Sequence, residues 1–418
     1  MTISVIGIGL DGVDGLSAKI GRIIDEAAVL AGSKRHLGYF PQHQGKKICL
    51  TDLKTGIEAI ADLAKEDLAI AILASGDPLF FGLGRLLLAN FKREALEFYP
   101  HVSSIQLAFS KIKIPWQDAS LVSVHGRSDD ELIKLLKQGK EKIALLTDGS
   151  NNPAAIARLY LSLDLPVNYS FYICENLGDI QEKVSCFNFD KLEELSNLER
   201  DSFAALNVLI LIRQPQADRI DLDTLPAIGL PDSSFFSFPD RPSLITKREI
   251  RLAVLGELAL QPNQTIWDIG AGTGSVSIEI ARLCPSSKIY AIEKTSMGSS
   301  LIAKNIARFK LNNIQSINGK APEILWDLPN PDRIFIGGSG GNLSDILNVC
   351  QQKVSDRGII VMAFATVEHC YQATNWLKES LWQYSLLQLQ ISRSAPLNHL
   401  TRFIPLNPIT IITATNCN

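Results

Sequence analysis

The sequence has few cysteines, no long apolar run and no large excess of charge of either sign. Its seven cysteines among 418 residues form no CxxC pair, so metal and disulfide roles are disfavoured. No segment reaches the roughly 20 unbroken apolar residues that a membrane-spanning helix needs, and the first residues lack the positive stretch that opens a signal peptide. The formal net charge is −3, with no basic cluster, which argues against a nucleic-acid partner. We therefore expect a cytoplasmic protein without a metal site.

The length and composition fit an α/β chain of two or three domains. With 46% hydrophobic and 20% charged residues, each half can bury a core. The N-terminal half alternates short apolar strands with helices. Its predicted strands are Ser4–Gly9, Ala69–Ala74, Leu96–Tyr99, Leu121–Val124 and Ile143–Leu146.

Each of these strands stops in small polar residues before the chain continues. In an open α/β sheet such strand ends line one crevice, where ligands bind. Ser, Asp and Gly are also ordinary loop and helix-cap residues, so any single turn allows either interpretation. Five such turns in one half favour a ligand crevice.

The most informative stretch is Thr265–Glu279, which reads TIWDIGAGTGSVSIE. A short apolar run meets Asp268, glycines follow as Gly270, Gly272 and Gly274, and a helix then begins. This arrangement leaves unpaired backbone N–H groups at one point, where glycine lets a ligand come close. The GAGTG spacing differs from the GxGxxG of dinucleotide sites and leaves no pyrophosphate-sized loop.

The next predicted strand, Ile289–Glu293, ends in an acid that can bind a ribose hydroxyl. DxGxGxG followed by a strand that ends in Glu is typical of S-adenosylmethionine (SAM) methyltransferases. The sequence therefore predicts a SAM site at Asp268, the three glycines and Glu293. The alternatives for the whole motif are a structural turn or a site for another nucleotide. Asp268 could alternatively only cap the helix, and Glu293 could be a surface acid.

Residues 1–213 resemble the tetrapyrrole methylase family in the segments SGDPLFFGLG, PHVSSIQLAFSKIKIPWQDASLVSVHGR and LLTDGSNNPAAIA. They are similar to the cobalamin-pathway branch that methylates a precorrin at carbon 5. The resemblance implies two α/β subdomains with SAM folded between them, against the Gly-Asp-Pro and Ser-Ser turns. It implies cofactor contacts at Gly7, Gly9, Ser75, Gly76, Asp77, Phe80, Ser103, Ser104, Thr147 and Gly178.

Other positions of this half concern the substrate and the loop details. His125 and Arg127 match the HGR of this branch, where they either meet substrate carboxylates or only close a strand end. Two residues depart from the family: Leu10 replaces a proline, and His101 replaces a glycine. A side chain at position 101 requires a backbone conformation that is open to residues other than glycine.

Residues 214–243 are predicted to be an inter-domain linker, because they contain five prolines and no periodicity. The segment from Thr246 to Glu249 then reads as a capping box, with Thr246 as N-cap and Glu249 at the third helical position. The predicted domains are thus 1–213 and 244–418. Further strands are predicted at Ile314–Asn318, Arg333–Ile336, Gly358–Ala363, near Ser385–Ile391 and at Ile409–Thr413, which would complete a seven-stranded sheet.

The C-terminal half resembles decarboxylating precorrin methyltransferases that act at carbon 15. The matching segments are GLPDSSF, LITKREIR, WDIGAGTGSVSIE, YAIEK, the APE turn and FIGGSGGNL. The resemblance implies a Rossmann-like class I methyltransferase, with cofactor contacts also at Thr246, Ala321, Gly337 and Gly338. The last two could alternatively form only a tight turn. Ala363 departs from the family, which has Asn there.

A precorrin carries many carboxylates, so the resemblance implies basic residues around its site. The candidates are Lys247, Arg248, Arg251, Arg393 and Arg402, of which the first two are best placed by their motif. Their alternative is solvated surface charge. No Ser-His-Asp or Cys-His set is evident, which fits in-line methyl transfer, because that reaction needs alignment rather than a protein nucleophile. We assign no general base.

The leading hypothesis is a two-site enzyme of corrin biosynthesis. It would methylate carbons 5 and 15 of a precorrin and remove carbon dioxide from the ring C acetate. One alternative is a methyltransferase of another substrate such as RNA, although a basic surface excess is lacking. Another is a SAM-binding protein with only one active domain, which the altered Leu10, His101 and Ala363 leave open. The families imply one SAM per domain and a homo-oligomer.

Overall fold

The structure is a computed structural model that describes residues 2–66, 68–216, 220–397 and 400–415. Its strands are β1 (Ile3–Ile8), β2 (Val29–Gly32), β3 (Lys46–Cys49), β4 (Ile70–Ser75), β5 (Leu96–Tyr99), β6 (Ser120–Ser123), β7 (Lys142–Leu146), β8 (Asn168–Glu175), β9 (Lys183–Phe187), β10 (Asn207–Gln214), β11 (Thr265–Ile269), β12 (Lys288–Glu293), β13 (Ile314–Asn318), β14 (Arg333–Ile336), β15 (Ile359–Phe364), β16 (Gln383–Leu389), β17 (Ser392–Leu397), β18 (Leu400–Pro405) and β19 (Ile409–Thr415). Its α-helices are α1 (Ala18–Asp25), α2 (Lys34–Gly38), α3 (Leu53–Ala64), α4 (Leu83–Asn90), α5 (Ser104–Ile112), α6 (Asp130–Lys137), α7 (Pro153–Ser162), α8 (Leu192–Ser196), α9 (Arg248–Glu257), α10 (Ser275–Leu283), α11 (Ser296–Arg308), α12 (Leu343–Lys353) and α13 (Val367–Glu379).

The chain divides into two compact units. The first unit comprises Met1–Leu132, Glu141–Ala154 and Ser170–Ile212, and the second comprises Ile133–Lys140, Ala155–Tyr169 and Arg213–Asn418. Both are α/β, which confirms the predicted fold class. In the described ranges, no helix is long and apolar enough to cross a membrane.

The first unit contains a parallel sheet of order β3-β2-β4-β1-β5. Along β4, Ile72 packs into one buried cluster and its neighbour Leu73 into another. Because side chains alternate between the faces of a strand, both faces of this sheet are covered, as the fully apolar sequence of β4 predicts. From β1 and β4 the chain leaves towards opposite edges of the sheet, and ligands bind at such a switch point.

A second five-stranded sheet has the order β6-β7-β10-β8-β9 and is mixed. Strand β7 pairs in parallel with β6 and antiparallel with β10. Helix α5 packs on this sheet, since its Phe109 shares a buried cluster with Val208 and Ile210 of β10. The sheet places the carboxyl ends of β6 and β7, with His125 and Thr147 just beyond them, side by side.

The second unit is built on a seven-stranded sheet of order β13-β12-β11-β14-β15-β19-β16, which confirms the predicted strand number. Strand β19 is antiparallel to both of its neighbours. Trp267 and Ile266 of β11 belong to buried clusters on opposite faces. The hairpin of β17 and β18 was not predicted, because its sequence mixes polar and apolar residues without clear alternation.

The predicted capping box before α9 is wrong. The N-cap of α9 is Lys247, and no side chain caps the helix. The Glu249 carboxylate instead accepts hydrogen bonds from Arg393, at 2.9 Å from Nε and 2.8 Å from Nη2. The helix begins one residue later than the capping box requires, so Glu249 is its second residue rather than its third. The segment before α9 packs into the second unit, where its Leu230 and Phe235 are fully buried.

Candidate active site

The glycine-rich turn of the second unit lies at a topological switch point. From β11 the chain leads towards β13, and from β14 it leads towards β15, on the other side of the sheet. Gly270 follows β11 with φ +72°, and a Cβ there would collide with the backbone of Gly338, 2.7 Å from its nitrogen. The Gly337 N–H donates to the carbonyl of Ile269 at 3.0 Å, which holds the two strand ends together. Only glycine fits at position 270, and the result is a narrow backbone-walled cleft.

Glu293 fixes the neighbouring part of this cleft. Its Oε2 accepts the N–H of Gly272 at 3.0 Å, and its Oε1 accepts the N–H and the hydroxyl of Thr295, each at 2.9 Å. A carboxylate offers about four acceptor positions. Three of them are used here, so one remains for a ligand hydroxyl.

Asp268 and Gly274 lie behind the cleft rather than on its surface. Asp268 is fully buried, and its Oδ2 accepts the N–H of Ser277 at 3.1 Å and the Ser277 hydroxyl at 2.5 Å. Burial raises the pKa of Asp268 to about 6. Gly274, with φ +76°, is the N-cap of α10 and faces Ile302. Both residues therefore position the helix that closes the glycine turn.

One cavity of about 680 Å³ opens over these residues in the second unit. This volume lies within the range of small-molecule sites. The predicted site residues that line it are Thr246, Lys247, Gly270, Gly272, Glu293, Ala321, Gly337 and Gly338. Ala363, where the family has Asn, also lines it. Arg248 is exposed and lies outside the lining.

Lys247 faces the same cavity beside a buried group of charges. Its Nζ lies 3.8 Å from Oδ2 of Asp232, which is fully buried and receives a 2.7 Å hydrogen bond from Arg251. Burial lowers the pKa of Lys247, while the Asp232 carboxylate opposes that shift. Lys247 is thus a cation held at the wall of the cavity by an anion behind it.

The other basic candidates of this half differ in exposure and contacts. Arg251 has no exposed surface and donates from Nε to Glu279 at 2.8 Å. Arg393 lines the cavity, but its guanidinium is already bound by Glu249 and Asp232. Arg402 is half-buried and outside the lining. Lys247 is therefore the basic candidate best placed to meet a ligand.

In the first unit, the predicted glycines meet at the switch point between β1 and β4. A Cβ on Gly7 would collide with the carbonyl oxygen of Gly76, and one on Gly9 would lie 3.0 Å from the His101 ring. Gly76 has φ +61°, and Ser75 at the end of β4 lies opposite Ile8. The backbones of Gly7 and Gly76 thus lie against each other at the edge of this sheet, as those of Gly270 and Gly338 do in the second unit.

The polar residues of the neighbouring turns largely hold those turns. Asp77 accepts the N–H of Leu79 at 2.9 Å, Ser103 caps α5, and the Thr147 hydroxyl donates to Asn207. Ser104 opens α5, Phe80 packs against the buried cluster that contains Phe109, and Gly178 has φ +89°. The structure shows these side chains building the turns, and direct cofactor contact stays a prediction.

His125 and Arg127 lie just beyond β6. The Nδ1 atom of His125 is 2.9 Å from the carbonyl oxygen of Thr147, and the Arg127 guanidinium lies 5.6 Å from the centre of the Phe81 ring. The histidine thereby closes the ends of two strands. A substrate contact from either residue remains a prediction.

The two departures from the family lie close together, although Leu10 is in the first loop and His101 is in the Ser-Ser turn. His101 does not have a positive φ, which confirms that its backbone is open to residues other than glycine. Its Nε2 lies 3.7 Å from Oδ2 of Asp11, the residue after Leu10. The histidine therefore contacts the loop in which the family's proline is missing.

Known proteins resemble both halves of the chain. A family model described as tetrapyrrole (corrin/porphyrin) methylases matches residues 2–193, and one described as a precorrin methyltransferase domain matches residues 239–416. A Sinorhizobium protein named precorrin-6Y C(5,15)-methyltransferase [decarboxylating] is 31% identical over 411 residues, which cover 98% of this chain and 95% of the relative. A "probable cobalt-precorrin-6B C(15)-methyltransferase (decarboxylating)" of Pyrobaculum aerophilum is 35% identical over 44% of this chain and 95% of its own length. A "probable cobalt-precorrin-7 C(5)-methyltransferase" of Methanocaldococcus jannaschii is 33% identical over 50% of this chain and 96% of its own length.

The residues of the second unit fit SAM. The backbone-walled cleft at Gly270 excludes a side chain, Gly272 borders open space, and Glu293 retains an acceptor for a ribose hydroxyl. With the family matches, this cleft defines the protein as a SAM-dependent C-methyltransferase. More closely, the chain belongs to the family of the decarboxylating precorrin-6Y C(5,15)-methyltransferases.

Proposed function

We propose that the protein methylates a precorrin-6-type tetrapyrrole at carbons 5 and 15 and removes carbon dioxide from its ring C acetate. The observation that carries this proposal is a shared cavity in the second unit. One wall is the glycine cleft with Glu293, and another presents the Lys247 ammonium. A cofactor site and a carboxylate-binding cation thus face the same space, as methyl transfer to a polycarboxylate requires.

In the second unit, the residues would hold donor and acceptor in line. SAM, when bound, supplies an activated methyl group on a sulfonium. Gly270, Gly272, Gly337 and Gly338 would admit the cofactor against bare backbone, and Glu293 would accept a ribose hydroxyl. Lys247 would bind a substrate carboxylate, because a partly desolvated ammonium attracts an anion more strongly than one in water. The protein contributes alignment rather than a nucleophile.

In the first unit, the cofactor would lie at the edge formed by Gly7, Gly9 and the Ser75–Asp77 turn. The close approach of Gly7 to Gly76 supports this assignment, since it brings the end of β1 and the turn after β4 together with no side chain between them. Ser103, Ser104, Thr147 and Gly178 would border the same ligand. His125 and Arg127 are proposed to meet substrate carboxylates.

We assign carbon 5 methylation to residues 1–213 and carbon 15 methylation with decarboxylation to residues 244–418, with 214–243 as the linker. Separate family matches to residues 2–193 and 239–416 support this division. We further propose one SAM per domain, no metal, a homo-oligomer and a cytoplasmic location. The cofactor count rests on the two glycine-bordered strand edges.

The test is the mass of the tetrapyrrole product after incubation of the purified protein with SAM and a reduced precorrin-6 substrate. A gain of two methyl groups with loss of one carbon dioxide is expected. One methyl gained with carbon dioxide lost would leave only the carbon 15 reaction and would point to Leu10 or His101. An unchanged mass, with SAM still bound, would contradict the proposed substrate.

A further inference from the structure

The first unit holds a cluster of three polar side chains at the ligand edge of its parallel sheet. Arg35 and His36 follow β2, whereas Ser75 ends β4, 40 residues after Arg35. Arg35 Nη2 donates to the Ser75 hydroxyl at 2.9 Å. The Nε2 atom of His36 lies 3.2 Å from that hydroxyl and 3.2 Å from Arg35 Nη2. The cluster thus lies directly before the Gly76 turn.

No described residue supplies a counterion for the positive charge of this cluster. Within that part of the chain, no carboxylate forms an ion pair with Arg35, whose hydrogen-bond partners are Ser75 and His36. Burial and the Arg35 charge lower the pKa of His36 to about 4, so its ring is neutral at neutral pH. The cluster therefore carries one net positive charge, contributed by Arg35.

Arg35 also has unused hydrogen-bond donors. Its Nε is buried and has no partner within the described part of the chain. Its Nη1 makes no hydrogen bond to a described residue and is not among the buried atoms, so a ligand can reach it. Unpaired donors on a half-buried cation are unfavourable, and the planar fork of arginine matches a carboxylate.

We propose that Arg35 binds a carboxylate of a ligand at this edge, with Ser75 and His36 as positioning residues. The neutral His36 leaves the arginine charge intact, and the Ser75 hydroxyl fixes one arm of the guanidinium. The inference rests on the proposed function, which brings two carboxylate sources to this edge: the methionine part of SAM and the acid side chains of the tetrapyrrole.

The first experiment compares R35Q with R93Q in the full chain. Glutamine keeps a donor for Ser75 but removes the charge, and Arg93 is an exposed arginine of the same unit. S-adenosylhomocysteine and 5′-methylthioadenosine, which lacks the carboxylate, are titrated into each protein. The KM in carbon 5 methylation is measured in parallel, with a precorrin that is already methylated at carbon 15 and decarboxylated as the substrate. Loss of a charged hydrogen bond lowers affinity by about 10- to 100-fold.

Two outcomes support the proposal and identify the source. If R35Q weakens S-adenosylhomocysteine at one site but leaves methylthioadenosine unchanged, Arg35 binds the cofactor carboxylate. If R35Q instead raises the KM for this carbon 15-methylated precorrin and leaves the affinity for both nucleosides unchanged, Arg35 binds the substrate. R93Q should match the wild type in every assay. If R35Q matches R93Q throughout, the proposal is overturned.

A measurement on the wild-type protein covers the case in which R35Q does not fold. Phenylglyoxal modifies accessible arginines, and peptide mass spectrometry reports the fraction of Arg35 that has reacted. S-adenosylhomocysteine or the carbon 15-methylated precorrin should protect Arg35 several-fold but leave Arg93 reactive. Equal reaction with and without both ligands overturns the inference. If the wild type binds and protects but forms no methylated product, the proposed reaction fails while the Arg35 assignment stands.

Discussion

The backbone of Gly270 packs against the backbone of Gly338 so closely that a Cβ on Gly270 would lie 2.8 Å from the Gly338 Cα. These glycines follow β11 and β14, the two strands from which the chain turns towards opposite edges of the sheet. The contact therefore narrows the switch point of the second unit to bare backbone. The cofactor cleft depends on this contact, because any side chain there would push the strand ends apart.

We expect G270A to abolish carbon 15 methylation, while carbon 5 methylation of an added precorrin that is already methylated at carbon 15 continues. Alanine at φ +72° costs about 1–2 kcal/mol before its clash with Gly338 is counted. The matched control is G256A in α9, where a Cβ has open space and alanine favours the helix. Product mass and thermal unfolding of both variants give the answer. Normal double methylation by G270A would show that this contact is dispensable.

The seven-stranded sheet and the glycine turn could be predicted because both are local features. Ile266, Trp267 and Ile269 form one apolar run, and the glycines follow within a few residues. The alternating clusters on the two faces of β11 explain why this run is apolar on both sides. Sequence reasoning works here because neighbours in the chain are neighbours in the structure.

The charge networks could not be predicted, because their partners are far apart in the chain. Glu249 pairs with Arg393, 144 residues later, and no local pattern indicates that partner. Arg251 is an arginine with no exposed surface, although its residue type predicts a surface position. Arg35 reaches Ser75 across the sheet, with no local signal in the sequence.

Arg251 is expected to be essential for the stability of the second unit. Its guanidinium pairs with Asp232 and Glu279, and all three side chains are buried. R251M would leave both carboxylates without this cation and should cost about 3–5 kcal/mol. R248M, an exposed change on the same helix, should cost no more than about 0.5 kcal/mol.

Urea unfolding followed by tryptophan fluorescence measures this difference. Trp267, Trp326, Trp376 and Trp382 lie in the second unit, and Trp116 lies in the first, so the signal reports mainly the second unit. Equal unfolding midpoints for R251M and R248M would contradict a stabilising role for the buried pairs.

Asp268 should make the second unit less stable as the pH rises from about 4 to 6. Burial raises its pKa to about 6 in the folded state. Between these pH values the Asp268 carboxyl group is protonated in the folded state but already ionised in the unfolded chain. The free energy of unfolding is therefore highest below the pKa of the unfolded chain and falls as the pH rises to the pKa of the folded state. A difference of about two pKa units corresponds to about 3 kcal/mol.

D268N should flatten this dependence of stability on pH, whereas D345N, at an exposed aspartate, should not. Unfolding midpoints measured without ligand across this pH range test the prediction, and parallel curves for the wild type and D268N would refute it.

Lys247 should govern substrate affinity in the second unit without affecting the cofactor. Its ammonium lines the cavity beside Asp232, so K247Q should raise the KM for the precorrin in carbon 15 methylation by about tenfold or more, the effect of removing one charged hydrogen bond. S-adenosylhomocysteine binding should stay unchanged, and K247R should keep much of the wild-type affinity because it retains the charge. Burial lowers the pKa of Lys247, so its ammonium should lose its proton at a lower alkaline pH than that of an exposed lysine. The wild-type KM should therefore rise as the pH passes through that range, and the KM of K247R should not. The exposed-surface alternative predicts instead that K247Q and K247R are both indistinguishable from the wild type at every pH.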